Sequence, residues 1–239
     1  YEIHWRDWSS DVCSSDLGIY RPVYLTAKPR TQIEHIAVDA RADGTLHTDV
    51  YLKNISKGQQ LELSLISCDS QLPIGRQVCG LSTEEKQILT THWNNIRTWD
   101  PEHPNLYRLT MRLLSTTGDV VHEITERIGF RTIEFRPEDG VYLNGTRLLV
   151  KGINRHCFDP ETGRTISREL SLKDALLIKQ MNMNAVRSHY PPDTHFLEAC
   201  DSIGLLYLNE LCGWQNSYST EIARSEERRV GKECLRLCR

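Results

Sequence analysis

Long hydrophobic runs, a strong net charge and closely paired cysteines are all missing from this sequence. No apolar stretch approaches the ~20 residues that span a bilayer, so no membrane partner is expected. The 29 Lys and Arg residues nearly balance the 32 Asp and Glu residues, which leaves a net charge of −3. Neither a nucleic-acid groove nor an anionic membrane surface is therefore predicted. Residues 1–17 are polar and lack the apolar core of a signal peptide.

The eight cysteines contain no CxxC pair and no evenly spaced framework. This spacing argues against a zinc ribbon and against a small disulfide scaffold. Five of them lie outside the irregular terminal segments and are expected to be free, mostly buried thiols: Cys68, Cys79, Cys157, Cys200 and Cys212. Free thiols slightly favour the cytoplasm over the periplasm.

Two terminal stretches have no periodic pattern and are excluded from the fold prediction. SSDVCSSDL lies within residues 1–22, and SEERRVGKEC begins at Ser225. Both resemble translated adaptor sequence, so we expect a non-native segment within residues 1–22 and a non-native tail at residues 224–239. The basic residues of that tail consequently do not indicate a nucleic-acid site.

Residues 23–134 alternate apolar with polar side chains, which places one face of each strand in a core and the other in water. The clearest apolar positions are Leu46, Val50, Leu52, Leu61, Leu63, Leu65, Leu109, Met111 and Leu113. About seven short strands over about 110 residues are typical of an immunoglobulin-like β-sandwich. No cluster of titratable residues recurs on one face, so we expect a structural role for this domain.

Trp99 opens the segment WDPEHPNLYRL, in which Pro101 and Pro104 force an extended, turn-rich path. Burial satisfies most tryptophan rings. We therefore expect Trp99 to pack over the sandwich edge rather than to stack on a sugar.

The hydrophobic period changes after residue 134. Asn144-Gly145 is flanked by apolar residues and predicts a β-hairpin, because both central positions of a type I′ turn need positive φ. Strands are then predicted at residues 149–153, 185–188 and 205–208.

Two helices separate these strands. The first is predicted from Ser171, with Asp174 three positions on as a capping pair, to about residue 182. The second is predicted to begin at residues 191–193 and to end before Gly204. An eight-unit barrel takes about 250 residues, so residues 135–223 can hold about three of eight strands. The predicted fold is multidomain, β plus α/β: an immunoglobulin-like β-sandwich followed by the first part of a (β/α)8 TIM barrel.

Polar side chains follow the predicted parallel strands, at the end where barrel enzymes have their active sites. His156 follows the first strand, and Arg187 and His189 close the second. Each histidine fits either a hydrogen bond to a polar ligand or a bond to the backbone, and the residues alone leave both open. Arg187 requires an acidic partner, in a binding site or in a structural ion pair.

The third strand ends in another polar cluster. We assign Asn209 and Glu210, with Arg187, to active-site support, and Trp214 to substrate binding by stacking on a sugar face. Glu210 is the best-placed carboxylate in this region. A structural bridge from Glu210 to Arg155 or Arg187 is the slightly preferred alternative.

Residue types also allow two other kinds of site. Zinc accepts imidazole and thiolate ligands, which His156, Cys157, His189 and Cys212 can supply. However, no pair has finger-like spacing, and adjacent side chains on a strand diverge. Cys157 as a nucleophile with His189 as its base is conceivable but has no further support. We therefore expect no metal and no cofactor.

Five motifs together resemble glycoside hydrolase family 2, the β-galactosidase and β-glucuronidase family. They are GIYRPVYL, WDPEHPNLYRL, RIGFRTIE, the hairpin with GINRH, and NAVRSHYP…CDSIGLLYLNE, in the family's order over roughly residues 18–223. The resemblance implies that residues 1–22 contain the end of a jelly-roll sugar-binding domain. It assigns residues 23–134 to the sandwich and residues 135–223 to the start of the catalytic barrel.

The resemblance also implies roles for single residues. His156 and His189 fall on substrate-contacting histidines, and Arg187 falls on the arginine that supports the nucleophile carboxylate. Cys157 stands where many family members have glutamate. After Glu210, LCGWQNSY stands where the β-galactosidases have a magnesium-binding segment, so no metal is expected there.

The implied parent is a retaining exo-β-glycosidase, β-galactosidase-like, that acts on a carbohydrate; its association into a homo-oligomer stays open. The family's acid/base and nucleophile glutamates lie on later strands. We therefore expect no catalytic residue in this chain and no activity from the chain alone. The alternative is a non-catalytic sandwich module that binds carbohydrate or protein, with the βα units as a linker domain.

Overall fold

The structure is a computed structural model, which describes residues 21–23 and 25–209. Within these residues, seven strands form an antiparallel sandwich, as predicted. They are β1 (Gln32–Ala40), β2 (Thr45–Lys53), β3 (Gln60–Ser67), β4 (Pro73–Gly80), β5 (Lys86–His92), β6 (Tyr107–Leu114) and β7 (Val120–Ile128). The two sheets have the orders β1-β2-β5 and β4-β3-β6-β7.

The core of the sandwich lies between these sheets and consists of the alternating residues. Leu46 and Val50 of β2, Leu63 of β3 and Leu109 of β6 are all completely buried. Their polar neighbours along each strand point away from this core, because successive side chains of a strand alternate between faces. The immunoglobulin-like sandwich predicted from the two-residue period is confirmed.

A small hairpin sheet follows the sandwich. It contains β8 (Ile133–Arg136), β9 (Gly140–Leu143) and β10 (Thr146–Arg147), in the order β10-β9-β8. Asn144 and Gly145 join β9 to β10 with φ angles of 52° and 79°. Both turn residues thus have the positive φ of a type I′ turn, and the hairpin prediction is confirmed.

Two βα units and a third strand complete the described chain. β11 (Gly152–Asn154), β12 (Ala185–Ser188) and β13 (Leu206–Asn209) form a parallel sheet in chain order. The connecting helices are α1 (Arg168–Gln180) and α2 (Thr194–Ile203). This alternation is the start of a TIM barrel, as the sequence predicted. No described helix is long and apolar enough to cross a membrane.

The predicted start of β11 is wrong. Pairing with β12 begins at Gly152 rather than at residue 149. Leu149 and Val150 are 73% and 51% exposed and lie in the connection from the hairpin. Their apolar character therefore does not mark a sheet position.

The predicted cap of α1 is also wrong. The helix begins at Arg168, three residues before Ser171. Its N-cap is Ser167, whose hydroxyl accepts the Leu170 N–H at 3.1 Å and satisfies an otherwise unpaired donor. Ser171, the predicted cap, is fully buried inside the helix. For α2 the prediction is confirmed: it begins just after Asp193 and ends at Gly204, whose φ of 83° is left-handed.

Trp99 lies between the sandwich and the βα units. Its side chain is 1% exposed and belongs to a buried cluster with Leu143, Ala185 and Leu206. Its indole N–H donates to the backbone carbonyl of Asp201 at 2.8 Å. The expected burial of Trp99 is confirmed, and the partners it meets belong to the barrel as well as to the sandwich.

Further bonds hold the two domains together. Arg127 of β7 donates to the Ser202 hydroxyl at 2.9 Å and to the Glu198 carbonyl at 2.6 Å. Lys179 of α1 donates to the Pro101 carbonyl at 2.5 Å. Because these bonds connect opposite sides of the interface, they set the orientation of β11–β13 relative to the sandwich.

Candidate functional site

The carboxyl ends of the three parallel strands lie side by side in register. Asn154 is opposite Arg187, and Ser188 is opposite Asn209. Val186 is buried in the cluster formed with the helices. Because side chains alternate along a strand, Arg187 points to the other face of the sheet, which is the inner face in a (β/α)8 barrel.

His156 and His189 meet just beyond these strand ends. His156 is two positions past β11, His189 directly follows β12, and both are exposed. Their rings stack with centroids 5.2 Å apart and planes inclined by 21°. The structure thus brings together the two histidines selected from the sequence, while their role in sugar binding stays a prediction.

Arg187 connects the ends of β11 and β12 with this pair of histidines. Its Nη1 donates to Oδ1 of Asn154 at 3.1 Å and contacts Nε2 of His189 at 3.2 Å. A guanidinium has no acceptor, so Nε2 of His189 accepts, and the neutral ring carries its proton on Nδ1. Neither of these two partners is a carboxylate, and the acidic partner expected for Arg187 stays a prediction.

Tyr190 also belongs to this cluster, and it was not among the predicted site residues. Its Oη accepts the backbone N–H of Cys157 at 2.9 Å and lies 3.3 Å from Nδ1 of His156. The Arg164 guanidinium lies 4.5 Å from the centroid of the Tyr190 ring, a cation–π distance. The available signal was an aromatic residue directly after His189, in the loop that follows a predicted barrel strand.

Arg155 lies behind the histidines, against the helices. It is 8% exposed, and its Nε and Nη2 donate to Oδ2 of Asp174 at 2.9 and 2.7 Å. Its guanidinium also covers the Phe196 ring at 3.9 Å from the centroid. Asp174 thus pairs with Arg155, whereas the alternative bridge from Glu210 involves a residue outside the described part of the chain and stays a prediction.

The surroundings of Cys157 argue against both alternative sites. Its thiol is buried and accepts from Nη1 of Arg155 at 3.1 Å. Burial raises the pKa of the Cys157 thiol, and the opposing effect of Arg155 is smaller. A nucleophile or a zinc ligand must be a thiolate, which this burial disfavours. Within the described residues, no group of three or more His, Cys, Asp and Glu side chains is arranged to hold a metal ion.

Arg21 fastens the loop that carries His189 and Tyr190. Its Nη2 donates to the Pro191 carbonyl, and its Nε lies 3.5 Å from Oδ1 of Asp193. Arg21 comes from the GIYRPVYL motif, far from this loop in sequence. The motif therefore contributes to the position of the strand-end histidine.

Asn209 ends β13 with a buried acceptor. Its Oδ1 has no hydrogen-bond partner within the described part of the chain, and an unmet buried acceptor is unfavourable. This oxygen is therefore suited to receive a donor from a ligand or from another segment. Glu210 and Trp214, the other predicted residues of this strand end, lie outside the described residues.

A large cleft lies away from the histidines. It has a volume of about 1060 Å³ and is lined by residues of the sandwich and of α2, including Arg127, Glu198 and Asp201. Arg127 spans this interface through its bonds to α2. Since its charged groups connect the two domains, we assign the cleft to the domain interface rather than to the strand-end site.

Two family models match the chain in succession. The model for glycosyl hydrolases family 2 matches residues 31–131. The model for the TIM barrel domain of the same family matches residues 135–229. The first therefore covers the sandwich strands, and the second covers the hairpin and the βα units.

Curated relatives agree with these matches. The chain is 34% identical to β-galactosidase BgaC of Bifidobacterium adolescentis, over 95% of this chain and 22% of that protein. It is 33% identical to a β-galactosidase of Thermoanaerobacter pseudethanolicus, over 83% of this chain and 28% of that protein. The chain thus spans between a fifth and a third of the length of these relatives.

Solved structures share the arrangement of the domains. β-Glucuronidase 3 of Bacteroides uniformis superposes with a TM-score of 0.74 at 24% identity, over 91% of this chain and 28% of that chain. A β-glycosidase of Bacteroides vulgatus gives a TM-score of 0.72 at 25% identity, over 92% and 30%. From the two successive family matches, the relatives and the shared fold, the chain belongs to glycoside hydrolase family 2.

Proposed function

We propose that this chain forms one wall of the sugar site of a retaining exo-β-glycosidase, β-galactosidase-like in its substrate. The stacked pair of His156 and His189 at the ends of adjacent parallel strands is the observation that carries the proposal. Two exposed imidazoles beside each other offer hydrogen bonds to neighbouring hydroxyl groups of a terminal sugar. The two β-galactosidases that resemble the chain support this substrate class.

The other predicted site residues complete this wall. Arg187 presents a positive charge on the inner face of the sheet, where it stabilises the carboxylate nucleophile of the parent. Asn209 contributes its buried acceptor, Glu210 supports the site beside it, and Trp214 stacks on the apolar face of the sugar. Hydrolysis by two carboxyl groups and water requires no cofactor.

Catalysis itself needs groups beyond this wall. A retaining glycosidase uses two carboxyl groups about 5–5.5 Å apart, one as acid/base and one as nucleophile. The groups at the described strand ends include Asn154, His156, Arg187 and His189. None of these four is a carboxylate, so they do not supply the catalytic pair. We infer that both catalytic glutamates lie on other barrel strands and that the 239-residue chain alone does not turn over glycosides.

The domain limits follow from the same proposal. We place the sandwich at residues 23–134 and the barrel segment at residues 135–223. The end of a jelly-roll domain, with a non-native segment, occupies residues 1–22, and a non-native tail occupies residues 224–239. β7 ends at Ile128 in the sandwich sheet, and β8, which begins at Ile133, pairs with β9 instead, so the change of sheet lies within a few residues of the proposed limit.

The test uses a protein in which this chain is continued by the remaining strands of the barrel. The variants His156→Ala and His189→Ala are compared with the wild type. With a nitrophenyl β-galactoside, each variant is expected to lose about 10- to 100-fold in kcat/KM, the value of one or two hydrogen bonds to the substrate. His103→Ala is the matched control, because His103 is exposed on the turn before β6 of the sandwich and its ring nitrogen contacts Asp100.

Two results would contradict the proposal. The first is a kcat/KM that is the same in both histidine variants as in the control. The second is turnover of the nitrophenyl glycoside by the 239-residue chain alone. Binding of a sugar or protein by the isolated sandwich, with no effect of the histidine variants, would instead support a non-catalytic binding module.

A further inference from the structure

Tyr190 occupies the space between the loops that follow β11 and β12. Its hydroxyl oxygen lies 2.9 Å from the backbone nitrogen of Cys157 and 3.3 Å from Nδ1 of His156. The ring of Tyr190 is tilted by 54° against the His156 ring, with centroids 5.9 Å apart. One phenol group therefore touches both the backbone and the imidazole of the loop after β11.

The direction of these hydrogen bonds follows from the chemistry of each group. A backbone N–H can only donate, so the Tyr190 oxygen accepts from Cys157. The hydroxyl retains a single proton, and a neutral imidazole has one nitrogen that donates and one that accepts. Donation from the hydroxyl to Nδ1 of His156 satisfies both groups. The opposite direction would give the Tyr190 oxygen a second bond to accept and leave its proton without Nδ1 as a partner.

We propose that Tyr190 is a positioning residue that fixes His156 in the tautomer with its proton on Nε2. His156 then presents Nε2–H to the ligand as a donor. The role of this Nε2–H as a donor to the sugar rests on the proposed function. The tautomer itself is argued from the bonds of Tyr190 to Cys157 and His156 and does not require the sugar.

The neighbouring histidine has the opposite assignment. Arg187 donates to Nε2 of His189, so the proton of the neutral His189 ring lies on Nδ1. The two stacked rings therefore carry their protons on different nitrogens, each set by a different partner. A sugar hydroxyl can either donate or accept a hydrogen bond. The tautomer of each histidine therefore decides whether the hydroxyl bound to it acts as the donor or as the acceptor.

Contacts to the ring and backbone of Tyr190, and to the residue after it, hold this side chain in place. The Arg164 guanidinium lies 4.5 Å from the centroid of its ring. The Ser188 hydroxyl donates to the Tyr190 carbonyl at 2.6 Å. Arg21 donates to the carbonyl of the next residue, Pro191. Because these contacts hold Tyr190 independently of His156, the Tyr190 hydroxyl can select one tautomer of the His156 ring.

Nitrogen NMR of the 239-residue chain tests the tautomer directly. In chain labelled with ¹⁵N-histidine, at a pH at which the ring is neutral, Nδ1 of His156 is expected to give the signal of an unprotonated nitrogen and Nε2 that of a protonated one. Assignment uses the signals that disappear in His156→Gln. Tyr190→Phe is expected to shift His156 toward a mixture of tautomers. Tyr142→Phe, which removes a hydroxyl bonded to Asp139 at 2.7 Å in the hairpin, is expected to leave His156 unchanged.

The wild-type spectrum keeps the inference falsifiable even if Tyr190→Phe does not fold. A proton on Nδ1 of His156 in the wild-type chain would overturn it. So would a folded Tyr190→Phe chain in which the His156 tautomer is the same as in wild type. A tautomer change in Tyr190→Phe that is also seen in Tyr142→Phe would overturn it as well, because the effect would not be specific.

Kinetics separates this inference from the proposed function. In the protein with a complete barrel, Tyr190→Phe is expected to lower kcat/KM about tenfold when His156 is present. The same substitution is expected to have little effect in a His156→Ala background, because Tyr190 acts through His156. Equal losses in both backgrounds would overturn the positioning role. If His156→Ala alone has no effect on kcat/KM, the proposed function fails, while the tautomer is still decided by NMR.

Discussion

Asp174 of α1 accepts two hydrogen bonds from Arg155, and this pair fixes the chain between β11 and His156 to the helix behind it. Arg155 is 8% exposed, whereas the carboxylate side chain is about one third exposed. The Arg155 backbone N–H also donates to the Arg187 carbonyl at 2.9 Å. The pair therefore supports both strand ends from which the histidines project.

Replacement of Asp174 by alanine is expected to reduce the free energy of unfolding by about 3 kcal/mol, because a nearly buried guanidinium loses its partner. The partial exposure of the carboxylate places this value at the low end of the range for buried pairs. Urea unfolding followed by circular dichroism measures the change. Glu134→Ala is the control, since Glu134 pairs with Arg136 at 2.8 Å on the surface and is expected to cost less than about 1 kcal/mol. Equal losses in the two variants would contradict this prediction.

The elements that could be predicted from the sequence have strong local patterns. The two-residue period of β2, β3 and β6 predicts their buried faces, and Asn144-Gly145 predicts the hairpin. Ala185–Ser188 was predicted with its correct limits. In each case a few adjacent residues decide the local conformation, so no knowledge of distant contacts is needed.

Local patterns were insufficient where several candidates lay close together. Ser167 and Ser171 are both suitable helix caps by residue type, and the structure uses Ser167. Leu149 and Val150 have the apolar character of a strand, yet β11 begins at Gly152. The choice in each case depends on which residues the neighbouring strand and helix can pair with.

The candidate site could be predicted in part. Strand-end position was enough to select His156, Arg187 and His189, whose contacts with one another the structure describes. The contacts of Tyr190 with Cys157 and of Arg21 with Pro191 join residues 33 and 170 positions apart. Such pairs have no periodic signal, because only the folded chain brings them together.

Replacement of Trp99 by phenylalanine is expected to loosen the domain interface and to reduce the free energy of unfolding by about 1–2 kcal/mol. The loss comes from removal of the hydrogen bond to the partly buried Asp201 carbonyl, which phenylalanine cannot replace. Limited proteolysis between the sandwich and the βα units is expected to become faster. Trp93→Phe is the matched control, because the Trp93 indole is also buried and donates to the Thr91 hydroxyl at 2.9 Å, within the sandwich. Interdomain cleavage that is equally fast in both variants would contradict the assigned role of Trp99.

Cys157 and Cys200 are expected to resist alkylation in the folded chain. Burial raises the pKa of both thiols, so less thiolate is present at any given pH and reaction with iodoacetamide is slower. Peptide mapping after a short exposure at pH 8 is expected to find Cys79, which is partly exposed, modified before either of them. Modification of Cys157 at the rate of Cys79 would show an accessible, reactive thiol and revive the nucleophile hypothesis.

The raised pKa values also determine the direction in which the free energy of unfolding changes with pH. Above the pKa of an unfolded cysteine, about 8.5, the unfolded chain releases protons that Cys157 and Cys200 retain in the folded chain. Their contribution to stability is therefore complete below that pH and is lost as the pH rises. The Cys200→Ala variant is expected to show a smaller decrease of the free energy of unfolding between pH 8 and pH 10 than wild type.

Replacement of Gly204 by alanine is expected to destabilise the junction of α2 with the sandwich. The expected loss exceeds the cost of placing a residue with a Cβ in a left-handed backbone conformation. Gly204 has a φ of 83°, and an added Cβ would lie 2.1 Å from the Pro101 carbonyl oxygen. Left-handed backbone costs a residue with Cβ roughly 1–2 kcal/mol. The contact with Pro101 adds a steric conflict that can be relieved only by separation of the two segments.

Gly145→Ala provides the matched comparison for this prediction. Gly145 has a similar φ of 79°, but an added Cβ would meet nothing within 4 Å, so only the backbone cost of roughly 1–2 kcal/mol applies. Urea unfolding of the two variants isolates the steric part, since the conformational part is nearly the same. Gly204→Ala is expected to lose at least about 1 kcal/mol more, in keeping with the cost of overpacking. Equal losses would mean that Pro101 does not press against the end of α2, and the close approach of the two domains at this point would then be wrong.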